Sequence, residues 1–285
     1  MSNKNAPNKW LGARNALIKN VRRQNFMPSE GNPACVPVNG KSVALPAYIP
    51  FIGNDYFKHH PRILCYAINQ SISWHARWTK DWIERWAKDY SIAIDRLNIA
   101  AENGEAIPLK PYAEGFIPLI AAMVLLWKAS FNRNKLPKSI DSVIAATNFV
   151  KFSSLESASS AIIPKSWWDE CGRRYVRQEL LTLKPDIVIA FGQRTYREMM
   201  RVMESIPEKH FSPEILQCRF PAHISSVRTR PLTSRESTAW NKYILPLTEH
   251  LFQPGPESYQ KWRMLKFPGY FLDAAKALRI HFPEE

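Results

Sequence analysis

The sequence predicts an α/β protein: a three-layer α/β/α sandwich with a central, mostly parallel, four-stranded sheet. Two observations predict this fold class. Short apolar runs alternate along the chain with longer segments of helical periodicity, and this alternation is typical of a parallel sheet with helices on both faces. The chain also has 285 residues, of which 45% are hydrophobic, which is sufficient for one sizeable core.

Four apolar runs are predicted as the strands of this sheet. The clearest is 186–191, of sequence DIVIAF, which Gly192 closes. Strands of a parallel sheet are buried on both faces and therefore consist almost entirely of apolar residues. The other three strands are expected at 63–68, within 142–150 and, as a shorter and weaker run, at 217–221.

The segments between these strands have the residue spacing of helices. Segment 116–130 is nearly all apolar and is predicted to be a buried helix, but it is shorter than the roughly 20 residues that a membrane-spanning helix needs. The first residues are polar and do not resemble a secretory signal, so we expect a cytoplasmic protein without a membrane partner. Further helices are expected at 74–97, 166–183, 195–203 and 236–251.

Three regions are predicted along the chain: a basic helix and linker over 1–47, an α/β domain over 48–252, and a C-terminal extension over 253–285. Before residue 26, apolar residues recur at helical spacing among Lys and Arg, so this helix either packs on the body or lies along a phosphate backbone. Segment 28–50 is rich in Pro, Gly, Asn and Ser, which indicates an extended linker. Four aromatic residues favour packing of the C-terminal extension on the body: Tyr259, Trp262, Phe267 and Tyr270.

The net charge of +14, from 39 Lys and Arg against 25 Asp and Glu, predicts a polyanionic partner. We expect DNA, double- or single-stranded; a basic surface without a specific ligand is the alternative. No Gly-rich phosphate-binding or dinucleotide motif occurs in the sequence. We expect no cofactor and no metal, because the cysteines form no C-x-x-C pair and are interpreted as packed thiols: Cys35, Cys65, Cys171 and Cys218.

Candidate functional residues lie where the predicted strands end. Asn69 follows the first strand, Asn148 lies near the end of the second, and Gly192 and His223 follow the third and fourth. Because the carboxyl ends of parallel strands share one edge, these residues are expected to converge there. Asn69 has the chemistry to position a water, Asn148 to bind a planar pyrimidine edge, and His223 to donate a hydrogen bond to a departing base. An ordinary structural role is the alternative for each of them.

A short polar and basic segment follows His223. It is suited to binding phosphates beside a flipped nucleotide, and Lys151 is a further candidate for a phosphate contact. Solvent exposure without a ligand is the alternative for this segment and for Lys151. The residues of the segment are Ser225, Ser226, Arg228 and Arg230.

Several motifs together resemble the uracil-DNA glycosylase superfamily. The stretch 146–151 (ATNFVK), then Cys171 in a helix, and then 183–192 (LKPDIVIAFG) follow one another as in the central part of bacterial uracil-DNA glycosylases. The segments 51–53 and 62–64 look like the approach to the first catalytic motif of the superfamily. The resemblance implies a uracil-DNA glycosylase-like fold over the whole predicted α/β domain.

The same resemblance implies roles for single residues. It implies that Asn69 positions the attacking water, that Asn148 binds the base edge and that His223 supports the departing base oxygen. Phe116 is the candidate for the aromatic residue that stacks under the base, with a core Phe as the alternative. The iron–sulfur branch of the family has four cysteines, of which only Cys171 has a counterpart in a comparable place, so no metal cluster is expected.

Three departures from the family motifs affect the expected substrate. Ala67 replaces the Gly and Gln70 the Pro of the motif around Asn69, and Ile224 replaces the Pro that follows His223. These changes alter the rim of the pocket rather than the proposed catalytic groups. The expected base is therefore uracil or a modified base.

The combined hypothesis is a monofunctional DNA glycosylase, a hydrolase that flips a base out of DNA, cleaves its N-glycosidic bond and leaves an abasic site. We expect a monomer that acts in base-excision DNA repair or in antiviral defence against foreign DNA. Two alternatives stay open. One is a non-catalytic nucleic-acid-binding module on a glycosylase fold, and the other is a different enzyme on a similar sheet, such as a nucleoside hydrolase or transferase.

Overall fold

A computed structural model describes most of the predicted α/β domain and parts of both flanking regions. The predicted α/β class is confirmed, because a central sheet and several helices make up the described part of the chain. The helix predicted at 74–97 lies outside the described residues. These are 6–24, 35–38, 41–44, 50–68, 116–140, 142–151, 163–207, 211–218, 231–251 and 268–283.

The N-terminal region contains a helix and a hairpin. Helix α1 (Ala6–Gln24) is the basic helix that the residue spacing predicts. Strands β1 (Cys35–Val38) and β2 (Lys41–Ala44) pair in antiparallel fashion. Within the segment 28–50, predicted as an extended linker, the described residues 35–38 and 41–44 form these paired strands instead. The physical reason is visible in the sequence, since Asn-Gly, which joins the two strands, is a strongly favoured two-residue hairpin connection.

Helix α1 packs on the body of the protein, which is one of the two interpretations drawn from its spacing. Leu17 lies in its buried face. The indole nitrogen of Trp10 donates a hydrogen bond of 3.0 Å to the backbone carbonyl of Ile52. Nearer the end of the helix, the Asn20 amide donates to the carbonyl of Arg174 at 2.9 Å. Apolar burial and these two hydrogen bonds fix the helix against the body.

Within the described residues, the central sheet is mixed and has five strands where the sequence predicts four. The additional strand has only two residues and is antiparallel to its neighbour, and such a short strand leaves no periodic signal in the sequence. The other four are parallel to one another, and the last of them begins at Glu214 rather than at 217. The strands are β3 (Phe51–Ile52), β4 (Ile63–Ala67), β5 (Ile144–Asn148), β6 (Ile187–Phe191) and β7 (Glu214–Cys218), and their order in the sheet is β3-β5-β4-β6-β7.

Helices lie close to the positions predicted at 116–130, 166–183, 195–203 and 236–251, and a further helix lies in the C-terminal region. Helix α3 (Lys165–Cys171) continues through a π-helical segment (Gly172–Val176) into α4 (Arg177–Leu183), and we call the whole element the α3–α4 helix. No helix among the described residues is long and apolar enough to cross a membrane. The other helical elements are α2 (Phe116–Lys128), α5 (Gln193–Glu204), α6 (Ser234–Ala239), the π-helical segment Trp240–Ile244, α7 (Leu245–Leu251) and α8 (Pro268–Ala277).

Two hydrophobic clusters lie on the two faces of the sheet. Alternate residues of β4 point to opposite faces, so that Leu64 and Tyr66 belong to one cluster and Ile63 and Cys65 to the other. The first cluster includes residues of α1, the α3–α4 helix and α5. The second includes residues of α2, α6, α7 and the C-terminal helix α8, of which Phe271 is fully buried. Helices therefore cover both faces of the sheet.

Candidate active site

The carboxyl ends of the four parallel strands form one edge of the sheet. At this edge Ala67, the last residue of β4, is paired in register with Asn148, the last residue of β5. β4 comes first along the chain among the parallel strands, and β5 and β6 lie on its two sides, so the strand order reverses there. Ligands of open α/β sheets bind in the crevice outside the carboxyl ends at such a reversal. The topology therefore places the candidate site beside the end of β4.

Asn148 lies at this edge in a buried position. Only 6% of its surface is exposed, and within the described part of the chain its side-chain oxygen Oδ1 accepts no hydrogen bond. A buried acceptor without a partner costs roughly 1–3 kcal/mol, so native proteins retain few of them. The Oδ1 atom of Asn148 is thus free to accept a hydrogen bond from a bound molecule.

Backbone hydrogen bonds between β4 and β5 continue beyond the two strands. The amide of Phe149 donates to the carbonyl of Ala67 at 2.9 Å, and the amide of Val150 donates to the carbonyl of Ile68 at 2.8 Å. These bonds fix the chain that follows Asn148. They also hold the β4 chain as far as the residue before Asn69.

A buried polar cluster, Lys151, Glu179, Tyr66 and Thr147, lies next to Asn148. The ammonium of Lys151 is 2.7 Å from Oε1 of Glu179 and donates to the hydroxyl of Thr147 at 2.7 Å. The hydroxyl of Tyr66 donates to the other oxygen of Glu179 at 2.8 Å. The cluster therefore connects β4, the end of β5 and the α3–α4 helix through side chains in the core.

The placement of Lys151 differs from the predicted phosphate contact. Its side chain is 1% exposed, and its ammonium is bound to Glu179 in the core rather than presented at the surface. Burial lowers the pKa of Lys151, while the adjacent Glu179 carboxylate acts in the opposite direction. Burial and the same carboxylate raise the pKa of Tyr66 well above its ordinary value. This geometry favours a structural role for Lys151 in holding the end of β5.

Cys171 supports the same segment from the α3–α4 helix. The backbone amide of Lys151 donates to its sulfur at 3.3 Å. Burial raises the pKa of the Cys171 thiol to about 12, so the thiol is protonated at neutral pH. Cys65 and Cys218 are also buried and form no disulfide within the described residues, in agreement with the interpretation of packed thiols. Within the described residues, no group of three or more His, Cys, Asp or Glu side chains is arranged to hold a metal ion.

The remaining predicted site residues are placed only in part. Gly192 follows β6 with a φ of 98°, a conformation that favours glycine, and directly precedes α5. Phe116 is the first residue of α2, and its stacking role stays a prediction. The others lie outside the described residues, and their roles also stay predictions: Asn69, His223, Ser225, Ser226, Arg228 and Arg230.

Glu179, which binds Lys151 and Tyr66 next to Asn148, was not predicted from the sequence, although its helical spacing indicates that it is buried. It follows Tyr175 and precedes Leu183 at intervals of four residues, and all three are buried on one face of the α3–α4 helix. An acidic residue on a buried helical face needs a partner, because an unpaired carboxylate in the core is very costly. The Lys within the apolar segment at the end of β5 is that partner.

Comparisons with known proteins returned no match. No protein-family model matches the chain, and neither a curated protein nor a solved structure matches it. The fold and the candidate site are therefore defined by the geometry described above.

Proposed function

We propose that this protein is a DNA glycosylase that hydrolyses the N-glycosidic bond of a flipped-out uracil or modified base and leaves an abasic site. The observation that carries the proposal is the buried, unpartnered Oδ1 of Asn148 at the carboxyl end of β5. A carboxamide offers an acceptor next to two N–H donors. The edge of a pyrimidine such as uracil offers the complementary pair, an N–H donor next to a carbonyl oxygen.

The burial of Asn148 supports a role in selecting the base. A base that lacks the matching donor leaves the buried Oδ1 unpaired, and this penalty discriminates strongly against such a base. Discrimination also requires a fixed side chain. The hydrogen bonds of Phe149 and Val150 to β4, and the ion pair of Lys151 with Glu179, hold the backbone that follows Asn148.

The catalytic roles in this proposal rest on the family resemblance and on chain connectivity. Asn69 is two residues beyond Ala67, which pairs with Asn148, and His223 follows the end of β7. In the proposed reaction His223 donates a hydrogen bond to the base oxygen on which negative charge develops. Asn69 orients the water that attacks the oxocarbenium-like sugar once the base departs. No metal or cofactor takes part in these steps.

The net charge supports a polymer as the substrate rather than a free nucleoside. A charge of +14 attracts a polyanion and accelerates its capture. Excision of uracil serves DNA repair, and excision of a modified base serves defence against foreign DNA. The identity of the released base separates these two roles.

An abasic-site assay tests the proposal. The purified chain is incubated with single- and double-stranded oligonucleotides that carry uracil, hypoxanthine or hypermodified pyrimidines, and alkali-labile strand breaks are measured. We expect breaks at one base or a small set of bases. Asn69→Ala and His223→Ala should abolish them, whereas His281→Ala, which alters an exposed histidine of the C-terminal segment, should not.

Two results would contradict the proposal. Breaks that persist in both Asn69→Ala and His223→Ala would assign the chemistry to other residues. The absence of breaks on every substrate, together with retained DNA binding, would instead favour the non-catalytic binding module.

A further inference from the structure

A groove of about 510 Å³ runs between the α3–α4 helix and α5. Phe149 and Trp168 line it, with ring centroids 5.3 Å apart. The two helices approach closely at Gly172, where a Cβ atom would lie 2.9 Å from a methyl group of Val202. Phe149 directly follows Asn148 in the chain and belongs to the hydrophobic cluster on the α3–α4 and α5 face of the sheet.

Arginine side chains from both helices line this groove. Arg173 and Arg177 come from the α3–α4 helix, and their spacing of four residues places them on the same face. Arg201 faces them from α5. The guanidinium carbon of Arg194, a residue of α5, lies 4.8 Å from the centre of the Trp168 ring.

Nearby carboxylates neutralise these arginines only in part. Glu198 accepts hydrogen bonds of 2.9 Å from Arg201 with both of its oxygens. Arg173 is paired with Glu170, yet 63% of its side chain stays exposed. Within the described residues, the guanidinium of Arg177 makes no hydrogen bond or ion pair with a carboxylate, and its backbone amide donates to the carbonyl of Gly172. The groove therefore retains cationic groups that are accessible to an anionic ligand.

We infer that this groove binds the phosphodiester backbone of the DNA strand that carries the flipped base. Guanidinium groups bind phosphate oxygens in a bidentate manner and suit this ligand better than isolated ammonium groups do. The buried rings of Phe149 and Trp168 form the floor of the groove and hold the two helices in place. This inference rests on the proposed glycosylase function. It assigns a DNA contact to residues other than those of the segment that follows His223.

A pair of matched double variants tests the inference in the full chain. Arg173→Gln with Arg177→Gln removes two cations from the groove, while Glu170 keeps its hydrogen bond with Arg174. Arg133→Gln with Lys135→Gln removes two exposed cations from the 3₁₀ turn that precedes β5, far along the chain from the groove. Fluorescence anisotropy with a labelled DNA oligonucleotide gives the Kd of each protein between about 50 and 200 mM salt.

The groove variant is expected to bind DNA about tenfold more weakly at low salt. The slope of log Kd against log salt should fall by about 2, because each lost phosphate contact lowers it by about 1. The control variant should retain nearly the wild-type slope. Binding of RNA of the same sequence should not exceed binding of the DNA.

Specific outcomes overturn the inference. Equal losses in the two double variants would show a non-specific effect of net charge, and a wild-type slope in the groove variant would exclude phosphate contacts there. If the groove variant binds DNA normally while the wild-type chain releases a base, the groove assignment fails and the proposed function stands. If the wild-type chain neither binds DNA nor releases a base, both fail.

Discussion

Two ion pairs near opposite ends of the parallel strands differ mainly in their burial. At the carboxyl end, Lys151 and Glu179 are 2.7 Å apart, with side chains 1% and 3% exposed. At the amino end, Arg62 and Asp186 are 3.3 Å apart, with side chains 21% and 37% exposed. Asp186 also accepts hydrogen bonds from the backbone amide of Arg62 and from His60. An ion pair thus holds the chain at each end of the strands, but the pair at the carboxyl end is buried and the pair at the amino end is partly exposed to solvent.

This difference in burial affects how much each ion pair contributes to stability. A charged pair in the core has lost its hydration, so removing one partner is strongly destabilising, whereas an exposed pair contributes little. The costly pair lies at the end of the sheet where Asn148 has an unpartnered acceptor. We attribute its retention to the precise positioning of Asn148, because Lys151 binds Thr147, the residue before it.

Replacing Lys151 by Met should give the largest effect. It leaves the Glu179 carboxylate buried without its cation, and the free energy of unfolding should fall by about 3–5 kcal/mol, measured by urea denaturation. Combining it with Glu179→Gln should recover most of this loss, because Gln is neutral and still accepts from Tyr66. If the double variant were as unstable as Lys151→Met alone, the buried charge would not be the cause.

Replacing Tyr66 by Phe should give the next largest effect. The variant removes one hydrogen bond to the Glu179 carboxylate, and bonds to charged groups contribute roughly 1.5–3 kcal/mol. Tyr56→Phe is the matched control, since the buried Tyr56 hydroxyl has no partner within the described residues and its removal should be neutral or stabilising. Equal destabilisation in the two variants would point to packing rather than to the hydrogen bond.

Asp186→Asn should give a smaller effect that depends on pH. Burial of Asp186 raises its pKa, but hydrogen bonds from Arg62 and His60 outweigh this, so the pKa lies below its ordinary value. The ionised group therefore stabilises the fold above the unfolded pKa of about 3.9, and this contribution is lost as the pH falls. We expect a difference of up to about 1 kcal/mol at pH 7 that shrinks between about pH 5 and pH 3. A difference independent of pH in urea titrations would contradict the ionic origin.

Lys165→Gln should give the smallest effect. Lys165 and Asp169 are 2.7 Å apart, but their side chains are 72% and 47% exposed. Solvent screens this pair, so thermal and urea unfolding should change by less than about 0.5 kcal/mol. A loss comparable to that of Lys151→Met would contradict the conclusion that burial sets the strength of these pairs.

The sequence predicts the elements that follow simple periodicity. The four parallel strands appear as apolar runs because both of their faces are buried, and the α3–α4 helix appears through the spacing of its buried residues. The two-residue β3 and the π-helical segments depend on tertiary packing and leave no such pattern. The sequence also predicts Asn148 near the end of the second strand, and β5 ends at this residue.

Other features of the site depend on contacts between distant parts of the chain. The sequence predicts that Lys151 contacts a phosphate or solvent, but its pairing with Glu179 places it in the core, where lysines are rare. The arginine groove likewise forms between two helices that are separate in sequence. The periodicity of a single sequence identifies the residues of each helix, but it does not predict that the α3–α4 helix and α5 contact each other at Gly172.

The role of the unpartnered Oδ1 of Asn148 is tested by the rate of base release in the variant Asn148→Ala. This rate is measured under single-turnover conditions on the preferred substrate. Asn134→Ala is the matched control, since Asn134 is exposed in the turn that precedes β5. We predict that Asn148→Ala releases the base at least about 100-fold more slowly than the wild type although its free energy of unfolding is unchanged. The rate of Asn134→Ala should equal that of the wild type. Equal rates in the two variants would contradict the assignment of the carboxyl edge as the base-binding site.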